Sequence, residues 1–499
     1  MSTGTRYTAL RTVDDGEDDK VEGPSMHRLT SHDSAASGKP VPLVQHATRS
    51  DSEGPPPSLQ RTRTEEDYTN SSAPYTRASR LRYLGLAQLV LLNIIVSWDW
   101  LTFAAVSSTS ATYFSVSDSS INWLSTGFLF AFCPVAPLVI WTLNKHGPKA
   151  SILVSSTLVL AGNWIRYGGT RSNSFGVVIF GQVLIGFAQP FVLAAPTRYS
   201  NLWFSPAGRV SATAIASLAN PFGAALGQLI GPFWASDDPS SIPRMVLYTS
   251  ILSTVATLPA PFIPARPSAS ASSTSAHDLQ QDDRSIWQYV RDVTKNGAFW
   301  LILLPFSIYT ASFNATSSLL NQILEPYGFS ETEAGIAGAL LIVVGLVASA
   351  IVSPLVDRTK RYLLTVRVLV PFIAISYAAL IFMPGTQTVP GPYVVLAVLG
   401  ATSFSLLPCA LEYLVLVTYP VSPEVSSTVC WTGGQLLGGV WIVIMNALRT
   451  DDWDDEPNAS MITGLIFQAV IAVLVVPCVF VLGRGRFKGS QEGLQMVYG

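Results

Sequence analysis

Two acidic residues interrupt long apolar stretches of the sequence, where ionised groups are rare. Asp99 follows one aliphatic run, and Glu412 lies in another run nearer the C-terminus. If these stretches cross a membrane, a carboxylate at mid-depth costs roughly 2.5–3.5 kcal/mol, so each acid needs a partner or a function. A substrate cation or a coupled proton would give it a function. The structural alternative is an ion pair or an amide contact with a neighbouring helix.

Tryptophans flank the first of these acids. Indole faces attract organic cations, and quaternary ammonium groups especially. Trp98 and Trp100 are two residues apart, so they point to different faces of a helix and at most one lines a central cavity. We assign Trp100 and Asp99 to a candidate substrate site, with packing between helices as the alternative use of either tryptophan.

Carboxamide side chains form a third group of polar residues within apolar stretches. They can bind a substrate or one another, and amides join neighbouring helices in membranes. The group comprises Gln189, Asn220, Asn314, Asn321, Gln322 and Gln435. Beside Asn220, Pro221 removes a backbone donor and Gly223 allows helices to approach, so this pair is predicted to act as a hinge.

Signatures of enzymes are absent from the sequence. We find no nucleotide-binding P-loop, no zinc-spaced set of His and Cys, and no nucleophile elbow. The net charge of -2 and the lack of a basic cluster disfavour a nucleic-acid partner. We therefore predict no catalytic residue, no metal and no cofactor, and an ATP-driven pump is disfavoured.

The composition indicates that lipid surrounds the elements carrying these residues. Of 499 residues, 49% are hydrophobic and only 12% are charged, whereas soluble domains average about 25% charged residues. The apolar residues form blocks without a charge, such as 121–143 and 334–356. Since about 20 apolar residues cross the hydrocarbon core as a helix, each block is long enough to span a bilayer.

Twelve such spans are predicted, in two groups of six. They cover 83–107, 121–143, 149–167, 174–196, 208–233, 244–264, 298–323, 333–356, 362–383, 391–417, 425–448 and 461–483. The predicted organisation is a disordered cytoplasmic tail (1–78), an N-terminal six-helix half (79–264), a cytoplasmic linker (265–297), a C-terminal six-helix half (298–483) and a second cytoplasmic tail (484–499).

The distribution of Lys and Arg predicts the orientation of the spans. With both termini in the cytoplasm, most basic residues from Arg77 onward lie on the cytoplasmic side, as the positive-inside rule requires. Those at outward ends are Arg166, Arg171, Arg244 and Arg449. The acidic loop 451–456 and the sequon at Asn458 then face outward, so Asn458 is a candidate glycosylation site.

A weak internal repeat relates the two groups of spans. The fifth span has Ser-Pro at 205–206 followed by Thr213, Asn220 and Gly223, and the eleventh has Ser-Pro at 422–423 followed by Thr428, Gln435 and Gly438. In both, an amide follows the threonine by seven residues and a glycine follows the amide by three. Parallel six-span halves are the plan of major facilitator transporters, so we predict an all-α membrane protein with that fold.

Several motifs, in order along residues 83 to 483, resemble the family of the feline leukaemia virus subgroup C receptor. They are Ile121-Asn122-Trp123-Leu124-Ser125, Phe187-Ala188-Gln189-Pro190-Phe191, Leu202-Trp203-Phe204, Asn220-Pro221-Phe222-Gly223, Ser318-Leu319-Leu320-Asn321-Gln322, Leu411-Glu412-Tyr413 and Thr418-Tyr419-Pro420. The resemblance implies a major facilitator fold. It also implies transport of choline or ethanolamine, with haem export proposed for some members and an uncertain substrate for others.

The resemblance also implies roles for individual residues. Trp100 stands where choline-carrying members stack a first-span tryptophan on the ammonium, and Gln189 and Gln435 match family glutamines. Phe128 replaces a tyrosine of those members, and Asn314 falls where an aromatic residue is usual.

Three further positions depart from the choline-carrying pattern. Asp99 replaces an uncharged residue, and Asn144 stands where facilitators usually have aspartate. The Asn220-Pro221 pair is closer to the orphan branch of the family.

We therefore expect a monomeric secondary transporter that carries a small organic solute by alternating access around a site between the halves. A choline- or ethanolamine-like cation or haem is the expected substrate. Proton-coupled symport of a neutral metabolite stays open. So does a non-transporting receptor or scaffold, although that class predicts large ordered loops and the loops here are short. The plasma membrane and an organelle membrane are both compatible with the sequence.

Overall fold

The computed structural model describes residues 72–204, 206–235, 238–265, 293–418, 423–449 and 460–484, together with residues 288 and 291. Most of the predicted tails and linker, and the predicted glycosylation site Asn458, lie outside these residues. The domain boundaries and Asn458 therefore stay predictions.

Six helices form the N-terminal half. They are α1 (Ser72–Leu101), α2 (Asp118–His146), α3 (Pro148–Arg171), α4 (Phe175–Trp203), α5 (Pro206–Ala235) and α6 (Ile242–Thr257). Helix α1 is followed by a 3-10 turn, Ala104–Val106, and by a short helical extension, Ser107–Phe114. Short 3-10 turns also flank α6 at Pro239–Ser241 and Ala260–Phe262.

Six more helices form the C-terminal half. They are α7 (Gly297–Leu324), α8 (Glu331–Thr359), α9 (Tyr362–Leu380), α10 (Pro390–Thr418), α11 (Pro423–Ala447) and α12 (Ile462–Leu474), the last of which has an extension, Val476–Val481. Turns of 3-10 helix follow α7 at Glu325–Tyr327 and precede α10 at Pro384–Thr386. The predicted all-α architecture of twelve spans in two halves is confirmed.

Within the described residues, eleven of these twelve elements are long and apolar enough to cross a membrane. The exception is α3, because Asn163 and Arg166 lie in its apolar segment. Both side chains are fully buried in the bundle, at 0% exposure. Burial against other helices lets α3 keep polar groups that lipid would not tolerate.

Glycines bring helix backbones into contact in both halves. A Cβ atom on Gly162 of α3 would lie 2.7 Å from the Gly181 carbonyl oxygen of α4, and one on Gly181 would lie 2.6 Å from the Gly162 oxygen. In the C-terminal half, a Cβ atom on Gly345 of α8 would lie 2.7 Å from the Gly400 oxygen of α10. Close approach at small residues is the usual basis of helix packing in membranes, where no hydrophobic force drives helices together.

The starts of α2 and α8 extend the internal repeat, since these are the second helices of the two halves. Ser117 caps α2 by accepting a hydrogen bond from the Ser120 amide at 3.3 Å. Ser330 caps α8 by accepting from the Glu333 amide at 3.2 Å, and the Glu333 carboxylate accepts from the Ser330 amide at 2.9 Å. Serine caps therefore satisfy first-turn amides at equivalent helix starts.

The predicted hinge in α5 lies in an uninterrupted helix. Helix α5 continues through Pro221, and Gly223 packs against the Ile94 carbonyl group of α1. Further along, a Cβ atom on Gly227 would lie 3.0 Å from the Trp98 carbonyl oxygen. The structure thus shows Gly223 as a point of close contact between α1 and α5. Its use as a hinge with Pro221 stays a prediction.

Replacing Gly223 with alanine should destabilise the fold. The added methyl group would collide with the Ile94 carbonyl and force α1 from α5, and such overpacking costs about 1–3 kcal/mol. We expect Gly223→Ala to lower the melting temperature in detergent by several degrees. The matched control is Gly168→Ala in α3, where a Cβ atom meets nothing within 4 Å. An unchanged melting temperature with slowed transport would instead support the hinge.

Candidate functional site

Two aromatic side chains meet between α1 and α2 in the N-terminal half. The rings of Trp100 and Phe128 are stacked, with centroids 6.4 Å apart and planes inclined by 19°. Trp100 is 4% exposed and Phe128 is fully buried. The indole Nε1 group of Trp100 has no hydrogen-bond partner. A buried donor without a partner is unusual in a native structure and requires an explanation, such as a functional role or an ordered water.

Two predicted amides join next to these aromatics, on the C-terminal side of the interface between the halves. Asn314 of α7 donates from Nδ2 to Oε1 of Gln435 in α11 at 2.9 Å. Gly438, one turn beyond Gln435, contacts both sides of the interface. A Cβ atom there would lie 2.8 Å from Asn314 Nδ2 and 3.3 Å from Cδ1 of Leu129, the residue after Phe128. The amide pair and the aromatic pair are therefore neighbours across the two halves.

Helix α4 brings a further amide to the same region. A Cβ atom on Gly186 would lie 2.7 Å from the Phe128 carbonyl oxygen, so α4 touches α2 where the aromatic pair lies. Gln189 is three residues further along α4, and its Oε1 atom is buried without a partner. We refer to Trp100, Phe128, Gln189, Asn314 and Gln435 as the central set. Five helices from both halves contribute to it, and each of its side chains is 0–4% exposed.

Asp99 forms an ion pair within the N-terminal half. Its Oδ1 atom lies 2.7 Å from Nη2 of Arg166, and its Oδ2 atom accepts from Nδ2 of Asn163 at 2.6 Å. Both members of the ion pair are fully buried. The geometry shows the ion pair that the sequence left open as an alternative, and binding of a cationic substrate by Asp99 stays a prediction. Arg166 is likewise an internal partner and not a residue of the outward surface.

Asn220 is displaced from the central set along the membrane normal. Gly227 of α5 lies opposite Trp98, and Gly223 lies opposite Ile94. The same register places Asn220 opposite Leu91, nine residues from Trp100 or roughly 13 Å along α1. The Nδ2 group of Asn220 is buried without a partner. Asn220 therefore stands nearer the end of the bundle where α2 meets α3.

Glu412 lies near that same end of the bundle and not at mid-membrane. Its side chain is exposed, and its charge interacts with those of Asp357 and Lys360 in the turn between α8 and α9. The structure gives Glu412 a place in the charged turn and no contact with the central set.

The opposite end of the bundle is joined by polar contacts between the halves. We call this end the closed end because side chains of both halves bond across it, and we use open end only as a label for the opposite end, which carries the α2–α3 turn. Glu331 of α8 accepts hydrogen bonds from the Thr109 amide at 3.0 Å and the Thr109 hydroxyl at 2.8 Å. Glu325 accepts from the Ser108 hydroxyl group. The carboxylate of Glu331 thus satisfies an amide in the first turn of the α1 extension across the interface.

Further pairs complete the closed end. Asn122 and Gln322 exchange two hydrogen bonds, of 3.0 and 2.9 Å, and an ion pair of 2.9 Å joins Asp118 to Arg449. Sequence reasoning found no role for these acids, because they stand at helix ends, where charged residues are ordinary. Asn122 and Gln322 stand in the family motifs, and their presence there was the signal that could have pointed to this end of the bundle.

A cleft of about 650 Å³ opens at the closed end. Ser108, Asp118, Glu325 and Arg449 are among its lining residues, and it includes no member of the central set. We assign the candidate site to the central set, because that set straddles both halves and holds buried polar atoms without partners. Among the residues that the structure describes, no three His, Cys, Asp or Glu side chains are grouped to hold a metal.

Comparisons with known proteins agree with this architecture. The Major Facilitator Superfamily model matches residues 89–443. The chain is 30% identical over 465 residues to solute carrier family 49 member A3 of Danio rerio, covering 89% of this chain and 93% of that protein. It is 28% identical over 420 residues to the choline/ethanolamine transporter FLVCR1 of Felis catus, covering 81% of this chain and 74% of that protein.

Solved structures show the same fold at low sequence identity. A D-xylose–proton symporter superimposes with a TM-score of 0.61 and 12% identity, covering 82% of this chain and 98% of that one. The nucleoside transporter NupG superimposes with a TM-score of 0.58 and 14% identity, covering 80% of this chain and 99% of that one. The predicted fold, the predicted family and the absence of an enzyme function are thereby confirmed. This chain belongs to the major facilitator superfamily, as a multi-pass secondary transporter of the family that includes solute carrier family 49 member A3 and the feline leukaemia virus subgroup C receptors.

Proposed function

We propose that the chain carries a small organic cation of the choline or ethanolamine class by alternating access around the central set. The observation that carries this proposal is the location of the set between the halves, with Trp100 Nε1 and Gln189 Oε1 buried and unpartnered. An indole face attracts a quaternary ammonium group. The free Gln189 oxygen and the indole N–H group suit the hydroxyl group of the same small molecule.

The ion pair of Asp99 determines which groups are available to bind the ammonium. Because Arg166 neutralises that carboxylate, the ammonium is held by the aromatic face and by amide oxygens and not by a full negative charge. A cation–π contact contributes about 0.5–2 kcal/mol, so we expect recognition of modest strength that depends on the indole. The choline/ethanolamine transporter FLVCR1, at 28% identity, supports this substrate class.

The size of the central set favours a small solute over a macrocycle such as haem. Its five side chains are at most 4% exposed. A small cation requires less space to open among these buried side chains than a porphyrin does. Proton-coupled symport of a neutral metabolite is the runner-up and is an outcome of the uptake experiment below.

We also propose that the closed end faces away from the cytoplasm. The turns at the open end carry Lys145, Lys149, Arg358, Lys360 and Arg361. Acidic side chains of the closed end include Asp118, Glu325 and Glu331. The placement of these Lys and Arg residues follows the positive-inside rule, to which acidic residues contribute little. Under this orientation, transport requires the hydrogen bonds of the closed end to break and re-form as the halves move.

Uptake of radiolabelled choline into cells lacking their own choline transport tests the substrate. We expect saturable uptake that ethanolamine competes for. Trp100→Ala should lower kcat/KM for choline roughly 2- to 30-fold, the loss that corresponds to about 0.5–2 kcal/mol of cation–π contact. Trp98→Phe is the matched control, since Trp98 stacks on Trp234 at 5.6 Å, away from the central set.

An equal loss of kcat/KM for choline in Trp100→Ala and Trp98→Phe would contradict the assignment of the site. Absence of choline and ethanolamine uptake by a protein that reaches the surface would reject the substrate class. Uptake of a neutral solute driven by a pH gradient would establish the runner-up.

Cysteine labelling tests the orientation. Ser172, between α3 and α4, is exposed at the closed end, and Asn144, at the end of α2, is exposed at the open end. An impermeant maleimide should label Ser172→Cys in intact cells and Asn144→Cys only after permeabilisation. The unaltered chain, with its four native cysteines, gives the background. The reverse pattern would place the closed end in the cytoplasm.

A further inference from the structure

Helix α1 stops directly after the tryptophan of the central set. It ends at Leu101, passes through the 3-10 turn at Ala104–Val106, and resumes at Ser107. The end is buried, with Leu101 at 0% and Thr102 at 1% exposure. The last carbonyls of a helix lack intrahelical donors, and inside a membrane they must find other ones.

Side chains supply those donors. The Asp99 carbonyl oxygen accepts from Arg166 Nη1 at 3.1 Å and from Gln182 Nε2 at 3.0 Å. The Trp98 carbonyl oxygen accepts from the Thr102 hydroxyl at 3.1 Å. Residues of α3 and α4 therefore satisfy the broken end of α1.

The same arginine holds the side chain of Asp99. Its Nη2 group reaches Asp99 Oδ1 at 2.7 Å, while Nη1 also donates to Gln182 Oε1 at 2.7 Å. The guanidinium lies over the Phe103 ring, 5.5 Å from its centroid, on the far side of the break. Arg166 thus holds both the main chain and the carboxylate of the residue before Trp100, and Gln182 adds a second hydrogen bond to that main chain.

Helix α4 connects the Arg166 and Gln182 contacts at the break in α1 to the central set. Gln182 and Gln189 are seven residues apart, which is nearly two turns, so they lie on the same face of α4. One glutamine holds the break that follows Trp100, and the other belongs to the central set. A single helix therefore sets the position of the indole relative to the amide.

We propose that Arg166 and Gln182 are positioning residues for substrate binding, which fix the break in α1 and thereby orient the Trp100 indole. They act on the substrate only through Trp100, so the link to transport rests on the proposed function, whereas the effect on the indole does not. Arg166 provides the ion pair and one hydrogen bond to the backbone. Gln182 provides the second hydrogen bond and carries no charge.

The orientation of the indole can be measured without a substrate. The full chain, labelled with 5-fluorotryptophan in detergent, should give fluorine NMR signals from its 12 tryptophans, and the signal lost in Trp100→Phe identifies Trp100. We expect Gln182→Leu to shift or broaden that signal. The matched control is Gln468→Leu. Gln468 is equally buried, at 0% exposure, and donates to the Ser312 carbonyl at 2.7 Å in the C-terminal half.

Arg166 needs a variant that keeps the protein folded. Arg166→Gln alone leaves Asp99 buried without a counter-charge, so it is combined with Asp99→Asn to remove both charges. The shorter glutamine cannot reproduce the hydrogen bonds of the guanidinium to the backbone. We therefore expect the double variant to fold and still to displace the Trp100 signal. If the arginine served only to neutralise Asp99, the double variant would show the wild-type signal.

The kinetics of choline transport distinguish a positioning role of Gln182 from general destabilisation of the protein. Gln182→Leu should raise the KM for choline about tenfold, with kcat within about twofold, whereas Gln468→Leu should change neither. An unshifted Trp100 signal in both Gln182→Leu and the double variant would overturn the inference, as would equal shifts with Gln468→Leu. If the wild-type chain carries no choline, the proposed function fails while the fluorine signals still decide the positioning role.

Discussion

A buried ion pair at a helix break is the interaction on which the N-terminal half depends. Asp99 and Arg166 are both fully buried, 2.7 Å apart, in a bundle surrounded by lipid. Removing either charge alone would strand the other, which typically costs about 3–5 kcal/mol in protein interiors. The pair joins α1 to α3, and Gln182 extends it to α4. The tryptophan of the central set lies one residue beyond Asp99. The ion pair and the candidate site therefore share a single turn of α1.

In the C-terminal half, neutral groups join α7 to α12. Gln468 of α12 donates to the Ser312 carbonyl at 2.7 Å and to the Thr316 hydroxyl at 2.9 Å, and the Tyr309 hydroxyl donates to the Ala472 carbonyl at 2.9 Å. Both halves therefore satisfy buried polar groups internally, as the membrane requires, but with different chemistry. The duplicated plan is preserved at the serine-capped starts of α2 and α8.

The closed end is held together by polar contacts between the two halves. Carboxylates of Glu331 and Glu325 accept from residues of the α1 extension, and an exchange of amide hydrogen bonds joins Asn122 to Gln322. Such polar contacts resemble a transient interface more than a helix core, because water can replace each partner when the halves separate. The central set lies between this end and the open end. Under the proposed function, these contacts shield a solute in the central set from one side.

Lipid imposes strict rules on composition, and for that reason the sequence alone determined the twelve spans, their division into halves, the repeat and the family. It also selected most of the central set, since an amide or a mid-span tryptophan is conspicuous among aliphatic residues. The sequence could not show where those side chains point. A carboxylate in an apolar run is equally compatible with a bound cation and with an arginine two helices away, and only the packing of α1 against α3 decided for Arg166. Likewise, only the register of α5 against α1 shows that Asn220 lies at a different depth from Trp100, because depth depends on how neighbouring helices are aligned.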